Sequence, residues 1–138
     1  MPQNKKSIII SSDTAELTLV ENFLTEMFKT FQVDQELFGK VLVCLNEAVV
    51  NSIMHGNKYD EAKMVRIECF ACKKYLYFRV IDEGEGFNYE ELPDPTCVEN
   101  LMKESGRGIF IIRNFSDGIF FREKGNIIEF KIDKSGQN

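Results

Sequence analysis

Apolar residues recur along this chain with two different periods, and the switch between them divides it into elements. Lys6–Ser11 carries three consecutive isoleucines between polar residues and predicts a strand. Asp13 with Glu16 three residues later has the spacing of a helix N-cap and its N3 partner. Val20, Phe23, Leu24, Met27, Phe28 and Phe31 then return every three or four positions, which predicts an amphipathic helix. A second helix is predicted from Asp34 through Phe38, Val41, Leu42, Leu45, Val49 and Ile53, with Gly56 placed to end it. Its second half is apolar almost all round, as in a central, buried helix.

Beyond Gly56 the period changes to two. Val65, Ile67, Cys69 and Ala71 alternate with Arg66, Glu68 and Phe70, and Leu76, Phe78 and Val80 alternate with Tyr77 and Arg79. Lys73-Lys74 marks the turn of a hairpin between them. Ile119–Arg122 and the run through Ile128, Phe130 and Ile132 predict a second strand pair joined through Gly125-Asn126, with a short helix over 109–115 before it. The order is strand, helix, helix, strand, strand, long loop, helix, strand, strand. It predicts an α+β fold, a two-layer α/β sandwich with helices on one face of a mixed, mostly antiparallel sheet. At 138 residues the chain is expected to form one domain, 1–138, around one core. The stretch over about 87–105, with Pro93-Asp94-Pro95 and several acids, has the length of a lid or binding loop.

Composition narrows the function classes. The chain is 43% hydrophobic and 28% charged, as in a globular protein. Its net charge of -5 argues against a general nucleic-acid surface, which needs clustered Lys and Arg. The longest nearly apolar run, 41–54, is interrupted by Asn46, Glu47, Asn51 and Ser52, and reads as too short and polar to cross a bilayer. With no long apolar region at the N-terminus either, a cytoplasmic location is expected. Cysteines stand at 44, 69, 72 and 97. Cys69 and Cys72 are three apart in a strand-like stretch, where side chains point to opposite faces, so the pair is poorly placed to chelate and reduced thiols are expected.

Three motifs carry candidate chemistry. In Asn46-Glu47-Ala48-Val49-Val50-Asn51 the glutamate and the second asparagine are four apart and share a helix face, which His55 continues. Polar groups on so apolar a helix need partners, and the stripe suits a polar cavity, a cap on a neighbouring loop or a solvated strip. Asp82-Glu83-Gly84-Glu85-Gly86-Phe87 follows directly on a strand and offers a carboxylate at a fixed place beside two glycines that permit close backbone approach. By itself it also suits an ordinary glycine-rich turn. Ser105-Gly106-Arg107-Gly108 opens straight into a helix, where free N–H groups and the helix dipole favour phosphate and Arg107 adds a positive charge. The same glycines equally suit close helix packing.

In this order and on these elements the three motifs resemble the N box and the two glycine boxes of the GHKL, or Bergerat-fold, ATPase superfamily. The resemblance covers about residues 6–133. Within the superfamily the chain is most similar to the stand-alone serine kinases that act as anti-sigma factors in bacterial sporulation and stress responses. The N box running on into His55-Gly56 and the Ile-Phe-Ile-Ile-Arg helix over 109–113 carry that choice, as does a length that leaves no room for a phospho-accepting hairpin. Many sensor kinases have a further glycine where this chain has Ile109 or Phe110, so the second glycine box is shortened here.

The resemblance implies a protein-serine kinase that uses ATP and Mg²⁺, binds a sigma factor and phosphorylates an anti-sigma-factor antagonist. Such a protein makes no direct contact with nucleic acid or membrane, and a homodimer is compatible with it. Asn51 would hold Mg²⁺, Asp82 would accept a hydrogen bond from the adenine amino group, and Gly84 and Gly86 would let the chain pass close to the base. Gly106, Arg107 and Gly108 would line the phosphates, and Glu47 would be the general base. His55 reads as a helix-end residue with a local structural role. The alternative is an ATP-binding regulatory module that sequesters a protein partner without phosphoryl transfer.

Overall fold

The two-residue alternation in the second half of the chain closes a single antiparallel sheet. In the computed structural model, residues 5–84, 104–123 and 126–135 are described, and over 104–107 the backbone alone. The elements are β1 (Lys6–Ser11), α1 (Leu17–Thr30), α2 (Phe38–Asn51), β2 (Met64–Ala71), β3 (Tyr75–Ile81), α3 (Glu104–Phe115), β4 (Ile119–Arg122) and β5 (Ile127–Asp133). The strands lie in the order β1-β2-β3-β5-β4, and each neighbouring pair is antiparallel.

Register decides which side chains face the helices. Ile67, Val80 and Ile128 form one cross-strand row and Cys69, Phe78 and Phe130 the next, and all six are buried. Phe78 and Phe130 stack with ring centroids 5.1 Å apart. These residues belong to one cluster with Val20, Leu24 and Phe28 of α1, Val41, Leu45 and Val49 of α2, and Ile112 of α3. Burying that one sheet face produces the two-layer α+β architecture expected from the sequence.

The opposite face holds a charge ladder. Glu68, Arg79 and Glu129 stand opposite one another across β2, β3 and β5. Arg79 lies 2.6 Å from Glu129 and 3.7 Å from Glu68, with Lys5 3.0 Å from Glu68 and Arg122 3.1 Å from Glu129. The alternation marks Glu68 as solvent-facing, yet it is only 5% exposed. The long cationic side chains of Lys5 and Arg79 lie against it and cover the carboxylate with their stems.

Three local outcomes differ from the sequence expectation. Asp13 caps only a 3-10 turn, Thr14–Glu16, accepting from the Ala15 N–H at 2.9 Å. Glu16 turns back instead of closing a capping box, and accepts from the Ser11 backbone N–H at 2.7 Å and from the Ser11 hydroxyl. Those two hydrogen bonds hold its carboxyl below the usual range. The central helix extends beyond α2 through a π-helical turn, Ser52–Gly56, and begins with a 3-10 turn at Gln35–Leu37. The resulting run Gln35–Gly56 is 22 residues with mean hydropathy 1.5, so by length and composition it does reach the dimensions of a membrane span. Its apolar face, from Val41 to Ile53, lies in the core against the sheet.

The third difference concerns α3, which starts at Glu104 and not at 109. Gly106, Arg107 and Gly108 therefore sit in the first turns of a helix and not in a turn before it, and residues 104 and 105 belong to that helix and not to a lid. Residues 87–103, Gly86 and Gly125 lie outside the described residues.

Candidate functional site

Helix α2 presents Glu47 and Asn51 one turn apart, and the π-helical turn adds His55. All three line one cavity of about 320 Å³, closed on its other side by Gly108 and Ile111 of α3. The polar stripe seen in the sequence thus faces a cavity, and the α2–α3 packing creates it. Asn51 is buried, and its Oδ1 has no hydrogen-bond partner among the described residues; the Oδ1 of Asn46, on the same wall, has none either. An orphaned buried carbonyl costs about 1–3 kcal/mol unless a ligand meets it. A neutral oxygen donor of this kind fits a hydrated hard cation such as Mg²⁺, which needs one or two protein oxygens and keeps its remaining waters.

Gly108 explains how α3 comes so near. A Cβ placed there would lie 3.1 Å from Glu47 Oε2, closer than ordinary van der Waals contact. A bare backbone at this position lets the first turns of α3 stand over the carboxylate. The N–H groups of the first four helical residues, Glu104 to Arg107, have no intrahelical acceptor, so Gly106 and Arg107 contribute donors in this region.

Asp82 is held beside this cavity by its backbone. Its N–H donates to the Asn126 carbonyl at 3.0 Å, and its own carbonyl accepts from Asn126 Nδ2 at 3.0 Å. Its Oδ1 accepts from the Gly84 N–H at 2.8 Å, and the residue is 5% exposed. Two glycines make room for it. A Cβ on Gly56 would fall 2.3 Å from Asp82 Oδ2, and one on Gly84 would fall 2.0 Å from the Gly56 carbonyl oxygen. The end of the central helix and the Asp82–Gly84 turn are thus in direct backbone contact, one residue from His55 at the cavity wall.

Of the residues singled out from sequence, the fold brings Glu47, Asn51 and Gly108 into one cavity, with the backbone of Gly106 and Arg107 on the adjoining helix. It sets Asp82 and Gly84 against Gly56, next to that cavity. Gly86 lies outside the described residues. Three participants went unrecognised. Gly56 reads as a helix stop but is needed for the Asp82 approach, and Asn126 reads as a turn residue but clamps the Asp82 backbone. Asn57, 1% exposed, reads as the residue after a helix end but ties together three segments distant in sequence. The only local signal was an asparagine directly after a helix-ending glycine.

Comparison with known proteins gives a consistent picture. A sequence profile of the histidine kinase-like ATPase domain matches residues 10–132. An anti-sigma F factor from Clostridium perfringens is 33% identical over 81 residues, 57% of this chain and 58% of that protein. One from Clostridium beijerinckii is 28% identical over 137 residues, 97% of this chain and 96% of that protein. One from Oceanobacillus iheyensis is 32% identical over 102 residues, covering 72% and 67%. The chain thus spans a little over half the length of the first of these relatives and nearly all of the second.

Proposed function

This chain belongs to the histidine kinase-like ATPase family, and from that premise we propose that it is a cytoplasmic, ATP-dependent protein-serine kinase acting as an anti-sigma factor, whose protein substrate is an anti-sigma-factor antagonist. The observation that carries the reading is the single cavity in which α2 and α3 bring Glu47, Asn51 and Gly108 together. The names of the relatives point to a sigma factor as one partner, and the antagonist as substrate rests on the resemblance of the motifs.

In this reading Asp82 accepts the amino hydrogen of adenine, a role open to a carboxylate fixed by its own backbone. Gly84 lets the turn close against Gly56, which sets Asp82 in that place. Backbone N–H groups at the start of α3, including those of Gly106 and Arg107, receive the phosphates, where the helix dipole favours negative charge. By the motif resemblance, Gly86 would let the chain pass close to the base. Asn51 would hold Mg²⁺, which when bound neutralises phosphate charge.

Glu47 supplies the proton chemistry. Its carboxylate takes the hydroxyl proton of the acceptor serine while that oxygen bonds to the γ-phosphorus and the bond from phosphorus to the β–γ bridging oxygen breaks. A positioned base of this kind contributes about 10²–10⁴-fold, and alignment of the reacting groups supplies most of the remainder.

The test is transfer of label from γ-labelled ATP, with Mg²⁺, to a serine of a candidate antagonist encoded beside the gene. Transfer should fall at least a hundredfold in Glu47→Gln, with ATP binding retained. Regulation that persists in Glu47→Gln with no label transferred by the wild type would leave only sequestration. No calorimetric heat with Mg-ATP would remove the nucleotide site altogether.

A further inference from the structure

The chain contains a buried amide whose every hydrogen-bonding group is used, placed between the two halves of the candidate site. Asn57 Oδ1 accepts from the Glu83 N–H at 2.8 Å. Its Nδ2 donates to Ser12 Oγ at 2.9 Å and to the Met64 carbonyl at 3.0 Å. Its backbone N–H donates to the Ser52 carbonyl at 2.8 Å, and its own carbonyl accepts from Asp60 at 3.0 Å. The Ser12 hydroxyl in turn donates to the Lys63 carbonyl at 2.6 Å, and the Glu83 carboxylate accepts from the Met64 N–H.

The pattern of donors and acceptors requires an amide. One partner is an N–H and another a carbonyl, so a carboxylate would face the Met64 oxygen without a proton to offer, and an aliphatic group would satisfy neither. A network this well satisfied around a buried amide is rigid, and losing its centre leaves several groups unpaired at once.

We propose that Asn57 is a positioning residue for purine selection: it fixes the Asp82–Gly84 turn against the end of the central helix, and so sets where the Asp82 carboxylate stands relative to Asn51. Asn57 follows Gly56, whose carbonyl Gly84 packs against, and it grips Glu83, the residue between Asp82 and Gly84. It acts through those neighbours and does not touch the nucleotide. The inference rests on the reading of Asp82 as the acceptor for the adenine amino group. A carboxylate in that place rewards an amino group and repels the carbonyl that guanine carries there. Selectivity of this kind depends on exact placement of the buried acceptor.

Two measurements on the full chain test it. Amide hydrogen exchange of the ligand-free protein should show Glu83 and Gly84 exchanging at least tenfold faster in Asn57→Ala, with the β3 amides unchanged. Calorimetry with Mg-ATP and Mg-GTP should show the ATP:GTP affinity ratio falling at least tenfold in the same variant. A purely structural loss weakens both nucleotides alike and leaves the ratio alone, so a folded Asn57→Ala with the wild-type ratio overturns the proposal. Should Asn57→Ala not fold, Ser12→Ala removes one brace and takes its place, with a ratio at least threefold lower expected and an unchanged ratio counting against the inference. A wild type that binds neither nucleotide removes the reading of Asp82 instead, and the exchange rates then decide by themselves whether Asn57 tethers the turn.

Discussion

The carboxylate of Asp82 stands where a side chain on Gly56 would have to be: a Cβ there would lie 2.3 Å from Oδ2 and 2.8 Å from Oδ1. Gly56 closes the π-helical turn of the central helix, where alanine would ordinarily be favoured over glycine by about 0.5–1 kcal/mol. Steric exclusion outweighs that preference. Gly56→Ala is expected to lower stability by about 1–3 kcal/mol, the usual cost of overpacking. It should also weaken Mg-ATP binding more than tenfold, because the displaced group is the candidate base acceptor. Thermal unfolding without ligand and calorimetry with ligand check the two effects separately.

Asn51→Ala should move stability and binding in opposite directions. The wild-type amide oxygen is buried on a helix with no partner among the described residues, so alanine removes an unsatisfied group and adds helix propensity. Ligand-free stability is expected to rise by about 0.5–1 kcal/mol. The dependence of nucleotide affinity on Mg²⁺ should disappear. A fall in stability with the magnesium dependence intact would place the amide in the scaffold and not in the site.

Gly108→Ala brings a Cβ to 3.1 Å from Glu47 Oε2. A carboxylate at the end of a flexible side chain yields by a few tenths of an ångström more cheaply than backbone does. Stability should change by less than about 1 kcal/mol, by analogy with other mild core enlargements. Phosphoryl transfer should fall by about tenfold or more, since a base acts only from its correct place. Single-turnover kinetics separates this from any change in ATP affinity.

The charge ladder on the open sheet face makes a further prediction. Arg79→Met keeps the aliphatic stem but leaves the carboxylates of Glu68 and Glu129, 6% and 11% exposed, without the cation between them. The pairs are less buried than those whose disruption costs 3–5 kcal/mol, so a loss of about 1–3 kcal/mol is expected. Adding Glu68→Gln and Glu129→Gln to that variant should restore much of it. Urea midpoints across the three proteins give the answer.

Among the described cysteines, Cys72 is exposed while Cys44 and Cys69 are buried. Burial pushes the Cys44 thiol up to about 12 and raises that of Cys69 as well. Alkylation of the native protein should therefore label Cys72 well before those two. Unfolded thiols ionise near 9, so above that pH the unfolded chain holds fewer protons than the folded one, and stability falls with rising pH. The slope is about 1.4 kcal/mol per pH unit for each buried thiol, ending for Cys44 near 12. Peptide mapping and alkaline unfolding curves check both statements.

Side-chain periodicity reflects a few neighbouring residues facing the same way, which made α1, α2 and all five strands legible in the order of letters alone. The motif pattern likewise gave the family and its fold, and the stripe from Glu47 to His55 needed only helical geometry. Other features depended on segments far apart meeting. Asn57 bonds Ser12 across 45 residues and Glu83 across 26, Glu16 found Ser11 where a capping box was expected, and Glu68 lost its solvent to cations from other elements. The early start of α3 followed the same rule, because Gly108 serves the approach to Glu47. Local preferences are worth tenths of a kcal/mol each. A steric overlap or an unpaired buried group costs several times more, so wherever the two conflicted, packing between remote segments decided.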